Sequence, residues 1–87
     1  MIDIPDDLAL WHYDPARKAI HRHLVFADFA EALAAKVRIG VAADKADHHP
    51  EWSNVYNRLD IWLTTHDTGG VSAKDYALAR IIDAMVA

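Results

Sequence analysis

The run Leu59-Asp60-Ile61-Trp62-Leu63-Thr64 most narrows what this chain can fold into. It puts Leu59, Ile61 and Leu63 on one side of an extended segment and Asp60, Trp62 and Thr64 on the other. Such a strand is buried on one face and wet on the other, so it needs neighbouring strands and a layer over its apolar face. Trp52 to Tyr56 lies just before it, with Asn57-Arg58 at a tight turn, and the two predict a hairpin. Toward the front, Leu8 to Tyr13 and Ala19 to Phe26 flank Asp14-Pro15-Ala16-Arg17, which has turn chemistry, and predict another hairpin. Arg22 interrupts the apolar series Ile20, Leu24, Phe26, and its head is expected to reach solvent.

Asp28-Phe29-Ala30-Glu31 sets a side-chain acceptor three residues before a glutamate, the capping-box pattern, and predicts a helix to about Ala46. Phe29, Leu33, Val37 and Val41 recur every four residues, with Ala30 and Ala34 beside them, so this stripe is expected to face the core. Ala35, Gly40, Ala42 and Ala43 keep other parts of the helix small, which suits close packing on a sheet or against a helix of another subunit. Ser72-Ala73-Lys74-Asp75 is a further capping box, opening a helix whose Leu78, Ile81, Ile82 and Met85 form an apolar face. The order strand, strand, helix, strand, strand, helix predicts an α+β fold. It would be a four-stranded antiparallel sheet with helices on one face, forming a single domain over residues 1–87.

Hydrophobic residues make up 53% of the chain, too many for a disordered segment. The net charge of −4, with lysines and arginines scattered singly, argues against direct binding to nucleic acid or an anionic membrane. The lack of cysteine removes any disulfide or thiol nucleophile and fits a reducing cytoplasm. No apolar run approaches the roughly 20 residues of a membrane span, and the opening Met-Ile-Asp-Ile-Pro-Asp-Asp has no signal-peptide character. A cytoplasmic protein is expected. Its small size makes self-association, as a homodimer or homotetramer, the expectation for its assembly.

The chemistry gathers in Asp44-Lys-Ala-Asp-His48-His49-Pro50-Glu51-Trp52, then Tyr56, then Thr64-Thr65-His66-Asp67-Thr68-Gly69-Gly70, then Asp75. Imidazoles populate both protonation states near neutrality, so three of them beside carboxylates make a proton-transfer constellation. His48 and His49 fall just past a helix and before a proline that forces extended chain, a place where groups are displayed. His66 ends the last strand and Asp75 opens the last helix, so all can meet at one end of the sheet. Blander readings exist. Imidazolium groups at a helix C-terminus complement its dipole, and the third position of a capping box favours a carboxylate for backbone reasons alone. His21-x-His23 points two imidazoles the same way along a strand, but no metal-binding motif accompanies it, and His12, His21 and His23 read as ordinary strand residues. Trp11, Trp52, Trp62 and Tyr56 suit a core or interface, though Trp52 and Tyr56 lie near enough to the histidines to stack on a flat heterocycle.

At these residues the chain resembles the pterin-4a-carbinolamine dehydratase family, which in animals also serves as the dimerisation cofactor of a homeodomain transcription factor. Asp44, His48, His49, Pro50, Tyr56, His66 and Asp75 meet the family pattern with its spacing, and the likeness runs over about residues 18 to 86. Asp44 stands where glutamate is common. The helix that usually precedes the family's first strand is expected to be reduced or absent, since only Met1 to Ala9 precedes the stretch from Trp11.

The resemblance implies a hydro-lyase that removes water from 4a-hydroxytetrahydropterin to give quinonoid dihydropterin, recycling the pterin used by aromatic amino acid hydroxylases. His49 would be the main acid/base group, with His48 and His66 beside it and Asp75 and Asp44 orienting imidazoles. Pro50, Trp52, Tyr56, Thr64 and Thr65 would complete the substrate site. No metal or organic cofactor is expected, the pterin being the substrate. A competing reading is a non-catalytic oligomerisation or assembly partner that uses the long helix.

Overall fold

The computed structural model describes residues 3–86. After a 3₁₀ turn at Asp6–Leu8 come strands β1 (His12–Asp14) and β2 (Ala19–Val25), helix α1 (Phe29–Lys45), strands β3 (Glu51–Val55) and β4 (Arg58–Leu63), a 3₁₀ turn at His66–Thr68, and helix α2 (Ala73–Val86). The strands form one antiparallel sheet in the order β1-β2-β4-β3, which is the expected α+β architecture. Ahead of the first strand, the 3₁₀ turn is the only helical element among the described residues, and its Leu8 is buried. Among the described residues no helix is long and apolar enough to cross a membrane.

The alternation of β4 carries the core. Leu59, Ile61 and Leu63 are fully buried, and β2 sets Ile20 and Leu24 beside them through the pairs Ile20↔Leu63 and Leu24↔Leu59. Ile39 and Ala43 of α1 and Leu78, Ala79 and Ile82 of α2 close over that face. Each fully buried Leu or Ile contributes roughly 1.5–3 kcal/mol, so the hydrophobic stabilisation is concentrated in this layer. Trp11 lies against the same core, 2% exposed, one residue before β1; the first strand is thus shorter than the apolar run Leu8 to Tyr13 predicts.

Two expectations are corrected. The α1 residues that reach the core are Ala32, Ala35, Ile39 and Ala43, while Phe29, Leu33, Val37 and Val41 are 46%, 43%, 57% and 56% exposed. Small side chains let the helix axis approach the sheet, and the bulky stripe is left facing outward. Gly40 belongs to the close approach: a Cβ there would stand 3.4 Å from Trp52. Arg22 does not reach out to solvent either. It lies on the helix-covered face opposite Ile61, and its Nη1 donates to Asp83 Oδ1 on α2 at 2.5 Å. Trp11 Nε1 donates to the same oxygen at 2.9 Å, so one carboxylate ties the front of the chain, the sheet and the last helix together.

The second hairpin turns one residue earlier than the simple reading. Val55 pairs with Arg58, so Tyr56-Asn57 forms the tight turn, with Tyr56 at a φ of 52°. The Asn57 side chain donates to Phe26 O at 2.9 Å and thereby anchors the turn to the end of β2. On the open face of the sheet, His21 Nε2 and His23 Nδ1 lie 2.8 and 2.7 Å from the same Asp60 oxygen. Trp62 stacks on His21, at 4.8 Å, and the Arg17 guanidinium lies over the Trp62 ring, at 3.8 Å.

Candidate active site

Four local features bring the site together. Helix α1 ends at Lys45, and Asp47 turns the chain sharply with a φ of 52°. The His48 amide still donates to Ala43 O, at 3.1 Å, which holds the pair His48-His49 against the helix end. Pro50 then directs the chain into β3. Because Glu51 pairs with Trp62, the start of β3 lies beside the end of β4, so His48 and His49 come next to Thr64 and Thr65.

The other side of the site is a tight loop. Thr65 and Gly70 exchange backbone hydrogen bonds of 3.0 and 3.2 Å, and Gly69 takes the left-handed conformation, φ 70°, that lets the loop close. His66, expected to end the last strand, instead opens the 3₁₀ turn inside this loop and is exposed. The chain then enters α2, whose first turn carries Asp75.

The result is a cleft of about 350 Å³ lined by Asp47, His48, His49, Thr64, Thr65, His66, Asp67 and Lys74. All three predicted catalytic histidines are among them. Asp75 lies beneath the wall and is fully buried; its Oδ1 is 2.5 Å from His48 Nε2. Its Oδ2 accepts from Thr65 Oγ1 and from the Ser72 amide, both at 2.8 Å. The Ser72 amide bond is one half of the capping box foreseen at this helix start, so Asp75 caps the helix and holds an imidazole at once. Capping at the other helix also follows the pattern, with Glu31 N donating to Asp28 Oδ1 at 2.8 Å.

The remaining expectations divide. Asp44 does face His49, but at 3.4 Å and with both side chains mostly exposed, 84% and 64%. Thr64 lines the cleft, while its hydroxyl donates to Lys18 O at 2.8 Å. Thr65, expected to bind substrate, spends its hydroxyl on Asp75. Trp52 and Tyr56 do not line the cleft. Trp52 sits on the helix-covered face opposite Ile61 and packs against the core, because β3 alternates with β4. Tyr56 is in the turn at the far end of β3, a strand length of roughly 17 Å from the start of that strand. Pro50 shapes the backbone between His49 and β3 and is not among the lining side chains.

Three lining residues went unassigned by sequence reasoning: Asp47, Asp67 and Lys74. Their adjacency to His48, His66 and Asp75 was the available signal. Ser72, the partner of both Asp75 and Thr65, was visible only as a cap. Among the described residues no three histidine or carboxylate side chains surround a point that could hold a metal ion.

Comparison with known proteins concerns the chain as a whole. A family model described as pterin 4 alpha carbinolamine dehydratase matches residues 3–85. A protein of Rhizorhabdus wittichii is 53% identical over 83 residues, covering 95% of this chain and 86% of the relative. One of Rhodospirillum rubrum is 50% identical, covering 99% and 85%. Both carry pterin-4-alpha-carbinolamine dehydratase as a provisional name. Among solved structures, a transcriptional coactivator/pterin dehydratase from Brucella melitensis superposes with a TM-score of 0.88 at 40% identity, covering 93% of this chain and 86% of that one.

Proposed function

The chain belongs to the pterin 4 alpha carbinolamine dehydratase family, and from that premise we propose that it dehydrates 4a-hydroxytetrahydropterin to quinonoid dihydropterin by histidine acid/base catalysis. The observation that carries this reading is the meeting of His48, His49 and His66 on one cleft, with a buried carboxylate behind His48. The substrate's C4a hydroxyl leaves as water once an acid gives it a proton. A ring nitrogen supplies the electron pair for the new C=N bond and passes its proton to a base. The pterin's own lone pair expels the hydroxyl, so the reading requires no further cofactor. His49, exposed at the cleft and tethered loosely to Asp44, is the main acid/base group; His48 and His66 flank the substrate. Pterin recycling for aromatic amino acid hydroxylases is the role that such a product would serve.

Stopped-flow absorbance of 4a-hydroxytetrahydropterin decay tests this. Wild type is expected to accelerate decay over the uncatalysed rate, and His49→Ala to lose on the order of 10²–10⁴-fold of that acceleration. A folded wild type without acceleration would refute the reading.

The outward stripe of α1 supports self-association alongside catalysis. Phe29, Leu33, Val37 and Val41 are all exposed, and Val37 and Val41 also line an apolar groove with Ala42 and Met85. A homodimer or homotetramer that buries this stripe accounts for a bulky apolar row on a small chain. An assembly role for the same helix accompanies the enzymatic one in this reading and does not replace it.

A further inference from the structure

The direction of the hydrogen bonds around Asp75 can be worked out by counting protons. Thr65 has one hydroxyl proton, and it goes to Asp75 Oδ2. In the 2.7 Å contact between the two hydroxyls, Ser72 must therefore be the donor and Thr65 the acceptor. The Ser72 amide supplies a second proton to Oδ2, which fills both lone pairs of that oxygen. Oδ1 is left to face His48 Nε2 alone. A carboxylate so loaded accepts a proton from the ring, which places the hydrogen on Nε2 and leaves Nδ1 as the free ring nitrogen. Nδ1 has no protein partner among the described residues, and His48 lines the cleft.

We propose that Thr65 and Ser72 are positioning residues that act through Asp75 to hold His48 in its Nε2–H form, so that His48 offers Nδ1 to the substrate as a proton acceptor. The kinetic side of this rests on the dehydratase reading; the tautomer does not. Two of the three supporting groups, Asp75 and Thr65, are poorly placed for solvent to substitute. Asp75 is fully buried and Thr65 is 7% exposed, so a lost hydrogen bond there is not replaced by bulk water. Thr65 thereby changes role from the substrate contact expected of it: with its proton committed, it has none to give to a pterin. The arrangement follows the logic of a histidine held by a buried carboxylate, where the orienting group selects the reacting nitrogen.

The test has two arms. Long-range ¹H–¹⁵N correlation on histidine-labelled protein, at a pH where the rings are neutral, is expected to show His48 protonated at Nε2. Asp75→Asn, whose amide can donate to Nε2, is expected to invert it to Nδ1–H. Thr65→Val is expected to lower kcat by about 10- to 100-fold with KM held within about two-fold, and Thr65→Ser to restore kcat. A wild-type ring protonated at Nδ1 would overturn the proposal. So would a Thr65→Val protein that raises KM at unchanged kcat, since that marks a substrate contact. If Asp75→Asn does not fold, the wild-type tautomer and the Thr65 pair still decide. If wild type shows no dehydratase activity, the functional reading fails on its own and the tautomer spectrum still judges this one.

Discussion

His48 and Asp75 are 27 residues apart in sequence and 2.5 Å apart in space, an imidazole at a helix exit gripped by the carboxylate that caps the next helix. The second histidine–aspartate pair of the cleft, His49 with Asp44, is its opposite in every physical respect. It is longer, at 3.4 Å, local in sequence, and open to water. One pair is enclosed and tightly held, and the other is a loose contact at the surface.

The contrast predicts unequal sensitivity to losing the carboxylate. Exposed ion pairs are weak, so Asp44→Ala should cost no more than about five-fold in kcat/KM. A loss of 100-fold or more in steady-state kinetics would show that Asp44 does more than tether His49.

A pH effect is expected away from the cleft. Partial burial pushes the Asp60 carboxyl up, but the hydrogen bonds to His23 and His21 outweigh it and hold the group below its ordinary value. The folded protein thus binds this proton less readily than the unfolded chain does. The stability that Asp60 contributes is present above the unfolded value of about pH 4 and is lost as the pH falls through the lower folded one. Urea midpoints should show wild type more stable than Asp60→Asn near about pH 6, with the gap shrinking by about pH 3. A gap that widens in acid would contradict the arrangement.

Self-association through α1 predicts the behaviour of Val37→Glu. Val37 is 57% exposed, so the charge should leave folding intact by circular dichroism while lowering the mass seen by light scattering. A monomeric wild type would end the self-association reading.

Gly40 offers a gain. It lies within α1, where glycine costs about 0.5–1 kcal/mol relative to alanine, and an added Cβ would meet Trp52 at ordinary contact distance. Gly40→Ala should raise Tm by about 2–6 °C in calorimetry. Gly40→Leu should lower it, because the longer side chain has to displace the Trp52 ring.

Much of this protein was legible in its sequence because the signals are local. The alternation of Leu59, Ile61 and Leu63 fixes which face of β4 is buried, and the caps at Asp28 and Asp75 mark both helix starts. His48-His49-Pro50 announces a displayed turn, and the spacing to His66 and Asp75 picks out the cleft. Tertiary structure alone decided what periodicity leaves open. A four-residue repeat says that Phe29, Leu33, Val37 and Val41 share a face of α1. It cannot say whether that face meets this chain's core or a surface beyond it, because both burials write the same pattern. Arg22 looked solvent-bound for a similar reason: its counter-charge, Asp83, is 61 residues away. Thr65 could be placed at the cleft but not given its role, since the direction in which a hydroxyl proton points depends on acceptors that only folding brings within reach.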